Sequence, residues 1–406
     1  MLRQPRISVQ LAVPLVAALV SLVPAVSAAQ VGAPPATWTS VSIGDVGKPG
    51  SAAQNNGVWT LTGSGRDIWG TDDSFQYMYR NNGTEAGHLI VRIDDIQNTN
   101  AFAKAGLMMR ASLDADAPAI ILDVRPGGYV EWMARSGTEG EMSYLGGMQV
   151  TLPVWLQLSW DARGGTVANV VGSVSQDHVN WTAVGPAVPF ELPRTYNVGV
   201  AVTSHDPAQL TTVHADGLSL LPSSWWTDDV GYSRWAGNAT MASSSDNFAI
   251  TAQGAGGDIW GTADSFQFVH DGPITSAHYA VIYRIVSVDN TSAFAKGGVM
   301  IRDGLATDAA SVVLDAKPDG NVEFMARLCA GCATTYVGGA SLTFPFYLSL
   351  TRDGAVFTAA IYKQDPTSAI AVGSVNVPMD RPFPGFAVTS HDPNRVTTAV
   401  FDNPAR

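Results

Sequence analysis

The sequence predicts an all-β chain of two tandem β-sandwich domains with jelly-roll topology, following an N-terminal export signal. Three observations point there. The stretch Asp67-Ile68-Trp69-Gly70-Thr71, continuing through Asp73-Ser74-Phe75-Gln76, returns as Asp258-Ile259-Trp260-Gly261-Thr262 through Asp264-Ser265-Phe266-Gln267. A repeat this widely spaced marks a whole domain rather than a short solenoid unit. Hydrophobic residues make up 46% of the 406 and charged residues only 14%, with 40 Gly and 23 Pro, the composition of a folded chain rich in turns. Apolar runs are short and alternating, without a sustained helical period, which favours two packed sheets.

The elements follow in order. Arg3 and Arg6 precede an apolar run from Leu11 to Val23 and the small residues Ala25-Val26-Ser27-Ala28-Ala29. This reads as a cleavable signal peptide over residues 1–29, and the apolar run is short for a bilayer span. The chain is therefore expected to be secreted, extracellular or periplasmic, with no membrane span. Pro34-Pro35 suits a stiff linker, and the first domain is expected over residues 36–221. Leu221-Pro222-Ser223-Ser224 reads as the hinge, and the second domain as residues 225–406.

Strands are expected at Leu89 to Ile93, Tyr129 to Arg135, Leu156 to Trp160 and Val198 to Val202. Their counterparts are Val281 to Ile285, Asn321 to Arg327, Phe346 to Leu350 and Phe386 to Thr389. The formal charge of −12 argues against nucleic acid or an anionic membrane surface as partner, because both demand a basic face. A monomer is the expected state. The only cysteines, Cys329 and Cys332, stand where the first half has Gly137 and Gly140. In an oxidising compartment they read as a local disulfide at a hairpin tip. A redox site would need a βαβ setting, and a zinc site further ligands.

Three segments carry a resemblance: Gly65-Arg66-Asp67-Ile68-Trp69-Gly70, Asn98 through Arg110, and Val202-Thr203-Ser204-His205-Asp206, with counterparts at Asp258 to Gly261, Asn290 to Arg302 and Val388 to Asp392. They resemble secreted bacterial modules of the concanavalin A-like lectin/glucanase superfamily, and more closely the group labelled regulation-of-enolase-like. Such modules commonly carry Trp where this chain has Phe102 and Phe294. The resemblance implies a β-sandwich found in extracellular, often glycan-handling, proteins, without a defined activity. It also implies that a structural calcium ion is an option, with Asp45 and Asp216, or Asp229 and Asp402, as oxygen ligands. No other cofactor pattern is present: the sequence has no His-Glu-x-x-His run, phosphate loop or EF-hand spacing.

Alternation along strands sorts the charged residues by face. Lys104, Gly106, Met108 and Arg110 share one face, and Glu131, Met133 and Arg135 share another. Arg92 and Asp123 lie in further runs, and the second half repeats the set as Arg284, Lys296, Arg302, Asp315, Glu323 and Arg327. Neighbouring strands would gather these into a polar face able to bind sugar hydroxyls, with Tyr129, Tyr144, Trp181 or Tyr336 as a stacking platform. The bland alternative is a cross-strand ladder of ion pairs on a solvated sheet.

Asp67 and Asp258 read as caps of backbone NH groups, with Trp69 and Trp260 filling the core. Ser204-His205-Asp206-Pro207 and Ser390-His391-Asp392-Pro393 read as turns, with a place at a ligand rim as the second reading, since no Gly-x-Ser-x-Gly elbow accompanies them. The Glu-x-Asp-x-x-Glu run of the superfamily's retaining glucanases is missing, and Glu131 shares its strand face with Arg135 rather than with another acid, which leaves Asp123 with Glu131 across strands as the remaining carboxylate pair. The leading expectation is thus a non-catalytic, carbohydrate-binding protein with a glycan or polysaccharide as partner. A hydrolase or lyase with an atypical site, or a structural adhesion module that contacts protein, are the alternatives.

Overall fold

The computed structural model describes residues 38–244 and 247–402. The expected signal peptide lies outside the described residues. The chain is all-β, and among the described residues the single helical turn is the 3-10 segment Pro366–Ser368. No described helix is long and apolar enough to cross a membrane.

Two sandwiches are present. The front sheet of the first runs Thr39–Ile43, Phe75–Asn82, Tyr196–Thr203, Lys104–Arg110, Ala119–Val124, Tyr129–Arg135 and Ser143–Gln149, in that spatial order. Every neighbouring pair is antiparallel. The late strand Tyr196–Thr203 enters between two early ones, so the chain crosses from sheet to sheet instead of meandering. In the second sandwich Trp225–Val230, Phe266–Asp271, Phe383–Thr389, Lys296–Arg302, Ser311–Ala316, Asn321–Arg327 and Thr335–Ser341 take the same order.

Each front sheet packs on a back sheet, and between them lies the main core. In the first sandwich Leu107, Met109, Ile120, Leu122 and Trp132 meet Leu89, Val91, Leu156, Leu158 and Trp160. Trp132 is fully buried and donates its Nε1–H to the Pro186 carbonyl at 3.0 Å, so its one polar atom is satisfied. The second core holds Val299, Ile301, Val312, Leu314 and Phe324 against Phe346, Leu348 and Leu350.

The back sheets are continuous. The strand Val58–Gly63, paired on its other side with Ser51–Asn55, reaches only Thr211 to Ala215 of the strand Thr211–Pro222 and leaves the remainder without a partner on that side. Asn238–Ser244 of the second sandwich fills the gap, with Leu220 opposite Thr240 in parallel register. One 15-stranded sheet therefore backs both front sheets. Asp216 Oδ2 reinforces the seam by accepting the Ala236 N–H at 3.1 Å.

Alternation places side chains on the expected faces, yet the outer face of Lys104–Arg110 is as buried as the inner. Loops fold over one end of it. Ile68 and Met142 from the loops close on Phe75, Met108, Ile121 and Met133 to form a second small core, and Ile259 does the same over Val230, Phe266, Met300, Val313 and Met325. The front sheet is thus neither an open polar face nor a solvated ladder. Only the other end of the face is left accessible.

Candidate functional site

A single row of cross-strand partners builds that accessible end. Ala201, Gly106, Asp123, Glu131 and Gly147 stand opposite one another in successive strands. Two glycines make the row what it is. A Cβ at Gly106 would come within 2.9 Å of the Asp123 Cβ, and one at Gly147 within 2.6 Å of the Tyr144 hydroxyl. The first absence lets Asp123 lie flat on the sheet; the second lets the Tyr144 side chain fold across it. Ala387, Gly298, Asp315, Glu323 and Gly339 form the corresponding row.

Lys104, two residues from Gly106 along its strand and on the same face, is buried and pairs with Asp67. Asp67 Oδ1 also accepts the Ile68 N–H at 2.8 Å, while Oδ2 faces His205 Nδ1 across 3.3 Å. His205 reaches that place because its backbone adopts φ of 55°, a left-handed conformation that turns the ring back over the sheet. Arg125 donates its Nε–H to Glu131 Oε2 at 2.7 Å and its NH2 group to Oε1, a bidentate grip. The guanidinium lies 4.5 Å from the Phe102 ring centroid, a cation–π contact.

Asp67, Trp69, Phe102, Lys104, Arg125, Glu131, Met133, Tyr144 and His205 together line an open recess of about 350 Å³. Its floor is charged and its rim aromatic: Trp69, Phe102 and Tyr144 are 47%, 48% and 47% exposed. Asp123 lies beneath, fully buried, with neither carboxylate oxygen hydrogen bonded. Burial pushes its carboxyl well above the usual range; Lys104 opposes that shift and the Glu131 charge adds to it. The neutral acid is the form this setting favours.

The same contacts recur in the second sandwich. Lys296 pairs with Asp258, Asp258 faces His391 Nδ1 at 3.4 Å, and Lys317 donates to Glu323 Oε1 at 2.7 Å. Lys317 lies 5.2 Å from the Phe294 ring. Asp315 is buried without hydrogen bonds, and desolvation raises its carboxyl to about 8.

Of the residues expected to form one polar face, the recess gathers Lys104 and Glu131 over Asp123, and in the second sandwich Lys296 and Glu323 hold the matching places around Asp315. Arg110 and Arg135 lie on the same sheet face but are sealed under the loops, where both bind Asp73. Arg302 and Arg327 are sealed with Asp264 in the same way. Arg92 and Arg284 belong to the back sheet: Arg92 pairs with Asp94 and Asp216 and stacks on Trp155, and Arg284 pairs with Asp402. Strand alternation cannot tell one sheet from the other, which is why these two arginines join the wrong group in a reading of sequence.

The Asp-Ile-Trp-Gly stretch also differs from expectation. Asp67 does cap a backbone NH, but Ile68 fills the small core and Trp69 stands outward at the rim. Adjacent residues point apart, and the branched aliphatic side chain takes the inner place. Phe102 lies within the repeated segment Asn98 through Arg110, whereas Arg125 and Lys317 carry no sequence signal of their own. Tyr129 and Tyr144 meet at the rim through a 2.8 Å hydroxyl contact, whereas Trp181 sits elsewhere, edge-on to His178.

The expected calcium ligands do not converge. Asp216 and Asp402 are each held by an arginine, Asp45 is exposed near Arg66, and Asp229 accepts the Gly237 N–H. Cys329 and Cys332 are joined in a disulfide. It closes a turn whose Cys332 carbonyl accepts the Arg327 Nε–H at 3.1 Å, the part the Gly140 carbonyl takes for Arg135 at 2.9 Å.

No protein-family model matches this chain, and no curated protein matches it. Among solved structures, a functionally unknown protein from Saccharomyces cerevisiae is similar at 21% identity, covering 46% of this chain and 96% of its own, with a TM-score of 0.36. The carbohydrate binding module CBM66 from Bacillus subtilis is similar at 14% identity over 45% of this chain and 93% of its own, TM-score 0.30. A xylan beta-1,4-xylosidase from Bacillus halodurans C-125 is similar at 10% identity, over 89% of this chain and 87% of its own, TM-score 0.29.

Proposed function

We propose that this is an exported protein that binds carbohydrate at the recess of each sandwich and does not turn it over. The observation that carries this reading is an exposed aromatic rim around a buried, paired charged floor, present in both halves. Trp69, Phe102 and Tyr144 offer flat apolar surfaces to the C–H faces of a sugar ring. Lys104, Arg125 and the tyrosine hydroxyls offer donors, and Asp67 and Glu131 retain lone pairs for hydroxyl groups. Their mutual pairing fixes these groups before a ligand arrives, so little ordering is left for binding to impose. Two linked sites would gain avidity on a polymer, because the second contact forms at high effective concentration.

Hydrolysis fits less well. Glycosidase chemistry brings two carboxyl groups to the scissile bond, one of them as an acid. Asp123, whose carboxyl is pushed upward by burial, stands opposite Glu131, but it is fully buried and outside the lining of the recess. The test is affinity electrophoresis of the full chain through mixed-linkage β-glucan, arabinoxylan, galactomannan and dextran, beside the Phe102→Ala/Phe294→Ala double variant. Retardation that the folded double variant loses supports binding at the recesses. Release of reducing ends that Glu131→Gln/Glu323→Gln abolishes would instead establish a hydrolase, and no retardation in any gel would leave protein adhesion as the better reading.

A further inference from the structure

The two recesses share a floor but differ in their rims. In the first, Arg125 grips Glu131 through two nitrogens and lies between two rings, 4.5 Å from the Phe102 centroid and 5.9 Å from that of Tyr129. The Tyr129 hydroxyl is in turn 2.8 Å from that of Tyr144. A connected path therefore runs from floor to rim: carboxylate, guanidinium, ring, hydroxyl, ring. Each member restrains the next, and a planar guanidinium held at two points cannot swing as an ammonium can.

That path is broken in the second recess. Lys317 replaces Arg125 and makes one bond to Glu323. Asn321 replaces Tyr129, and its side chain turns away to donate to Asp319 Oδ2 at 2.6 Å. Tyr336, the counterpart of Tyr144, then has no tyrosine hydroxyl beside it. It is 57% exposed against 47% for Tyr144, and Phe294 is 54% exposed against 48% for Phe102. Binding there would have to immobilise a lysine and a tyrosine that the first recess already holds.

Resting on the carbohydrate-binding reading, we propose that the recesses are inequivalent: the first is the tight, preorganised site and the second a weak auxiliary one, with Arg125 and Tyr129 as the residues that set the difference. Ordering costs of this kind scale to about a tenfold gap in affinity. The weaker site then serves to hold a polymer already captured by the first.

The experiment uses the full chain and affinity electrophoresis in the four polysaccharides named above. Phe294→Ala, which spares the first recess, is expected to keep most of the retardation. Phe102→Ala, which spares the second, should weaken it about tenfold. Adding Lys317→Arg with Asn321→Tyr to the Phe102→Ala chain should recover a good part of the loss, a gain that no folding defect can imitate. Equal losses from the two phenylalanine variants, or no gain from the transplanted pair, would overturn the inequivalence while leaving carbohydrate binding intact. Absence of retardation for the unmodified chain in every gel would overturn the carbohydrate reading and the inequivalence with it.

Discussion

Arg135 lays its two terminal guanidinium nitrogens on the two carboxylate oxygens of Asp73, NH2 on Oδ1 at 2.7 Å and NH1 on Oδ2 at 2.8 Å, with both side chains wholly shielded from solvent. Arg110 adds a second contact to Oδ2 at 2.9 Å. The remaining guanidinium donors reach the Gly140, Gly70, Ser112 and Asp114 carbonyls. Asp73 thereby ties the loop carrying Trp69 to two strands of the front sheet, and it fixes the rim without touching the recess.

Replacing Asp73 by Ala leaves two arginines buried with no counter-charge. The expected cost is about 3–5 kcal/mol of folding stability, the range for breaking a buried ion pair from one side. Denaturant unfolding checks it. The equivalent triad is less complete: Arg302 meets Asp264 only at 3.5 Å, and its Nε and NH1 lack partners. Arg302→Met should therefore cost less than Arg110→Met, and the reverse order would contradict the hydrogen-bond pattern described.

Protonation sets a pH window. Desolvation holds the Asp315 carboxyl at about 8, above its unfolded value of 3.8, so the folded state binds that proton more tightly. The stability this contributes is complete below about 4 and is lost as pH rises through about 8. His88 acts oppositely: burial lowers it to about 4, so its contribution is complete above about 6.5 and is lost as pH falls through about 4. Melting temperature should decline from pH 6 to pH 9. Asp315→Asn should flatten the decline and melt higher than the unmodified chain at pH 9, as followed by circular dichroism.

The Tyr144 phenol is pushed up to about 12, first by its hydrogen bond with Tyr129. Tyr129→Phe removes that partner. Ultraviolet titration of the variant should show, beside the loss of one phenol, a second returning toward the ordinary value near 10, and loss of one phenol with no other change would mean that the two hydroxyls do not meet in solution.

The Cys329–Cys332 bridge closes a very short loop, for which constraint of the unfolded chain is worth about 2 kcal/mol. Cys329→Ser/Cys332→Ser should lower stability by no more than that. Arg327 should keep its place, since Gly137 and Gly140 hold the matching turn for Arg135 without a bridge.

Much of this architecture is legible in the sequence because strand alternation is a strict geometric rule. It assigned Lys104, Arg110, Glu131 and Arg135 to one face, where they stand. Alternation is blind to what covers a face, and the loops over Arg110 and Arg135 turned an apparent binding surface into a buried ionic cluster. It is equally blind to sheet membership, which separated Arg92 and Arg284 from the rest. Asp73, the centre of that cluster, sits in a loop where no periodicity operates. Trp69 ran against the usual preference for burying tryptophan because Ile68, its neighbour, already occupied the inward position.

The seam between the back sheets has a counterpart in polymerisation. The first sandwich ends in a strand only half covered by its own hairpin, and the bare half seats the next sandwich at Leu220 and Thr240. In the second sandwich Asn247–Gly256 pairs with Asp392–Asp402 from Ala249 opposite Asp402 to Gly256 opposite Asp392. The first unit thus has a propagating end. Lengthening Val58–Gly63 by a few strand residues would abolish the seat for the second sandwich.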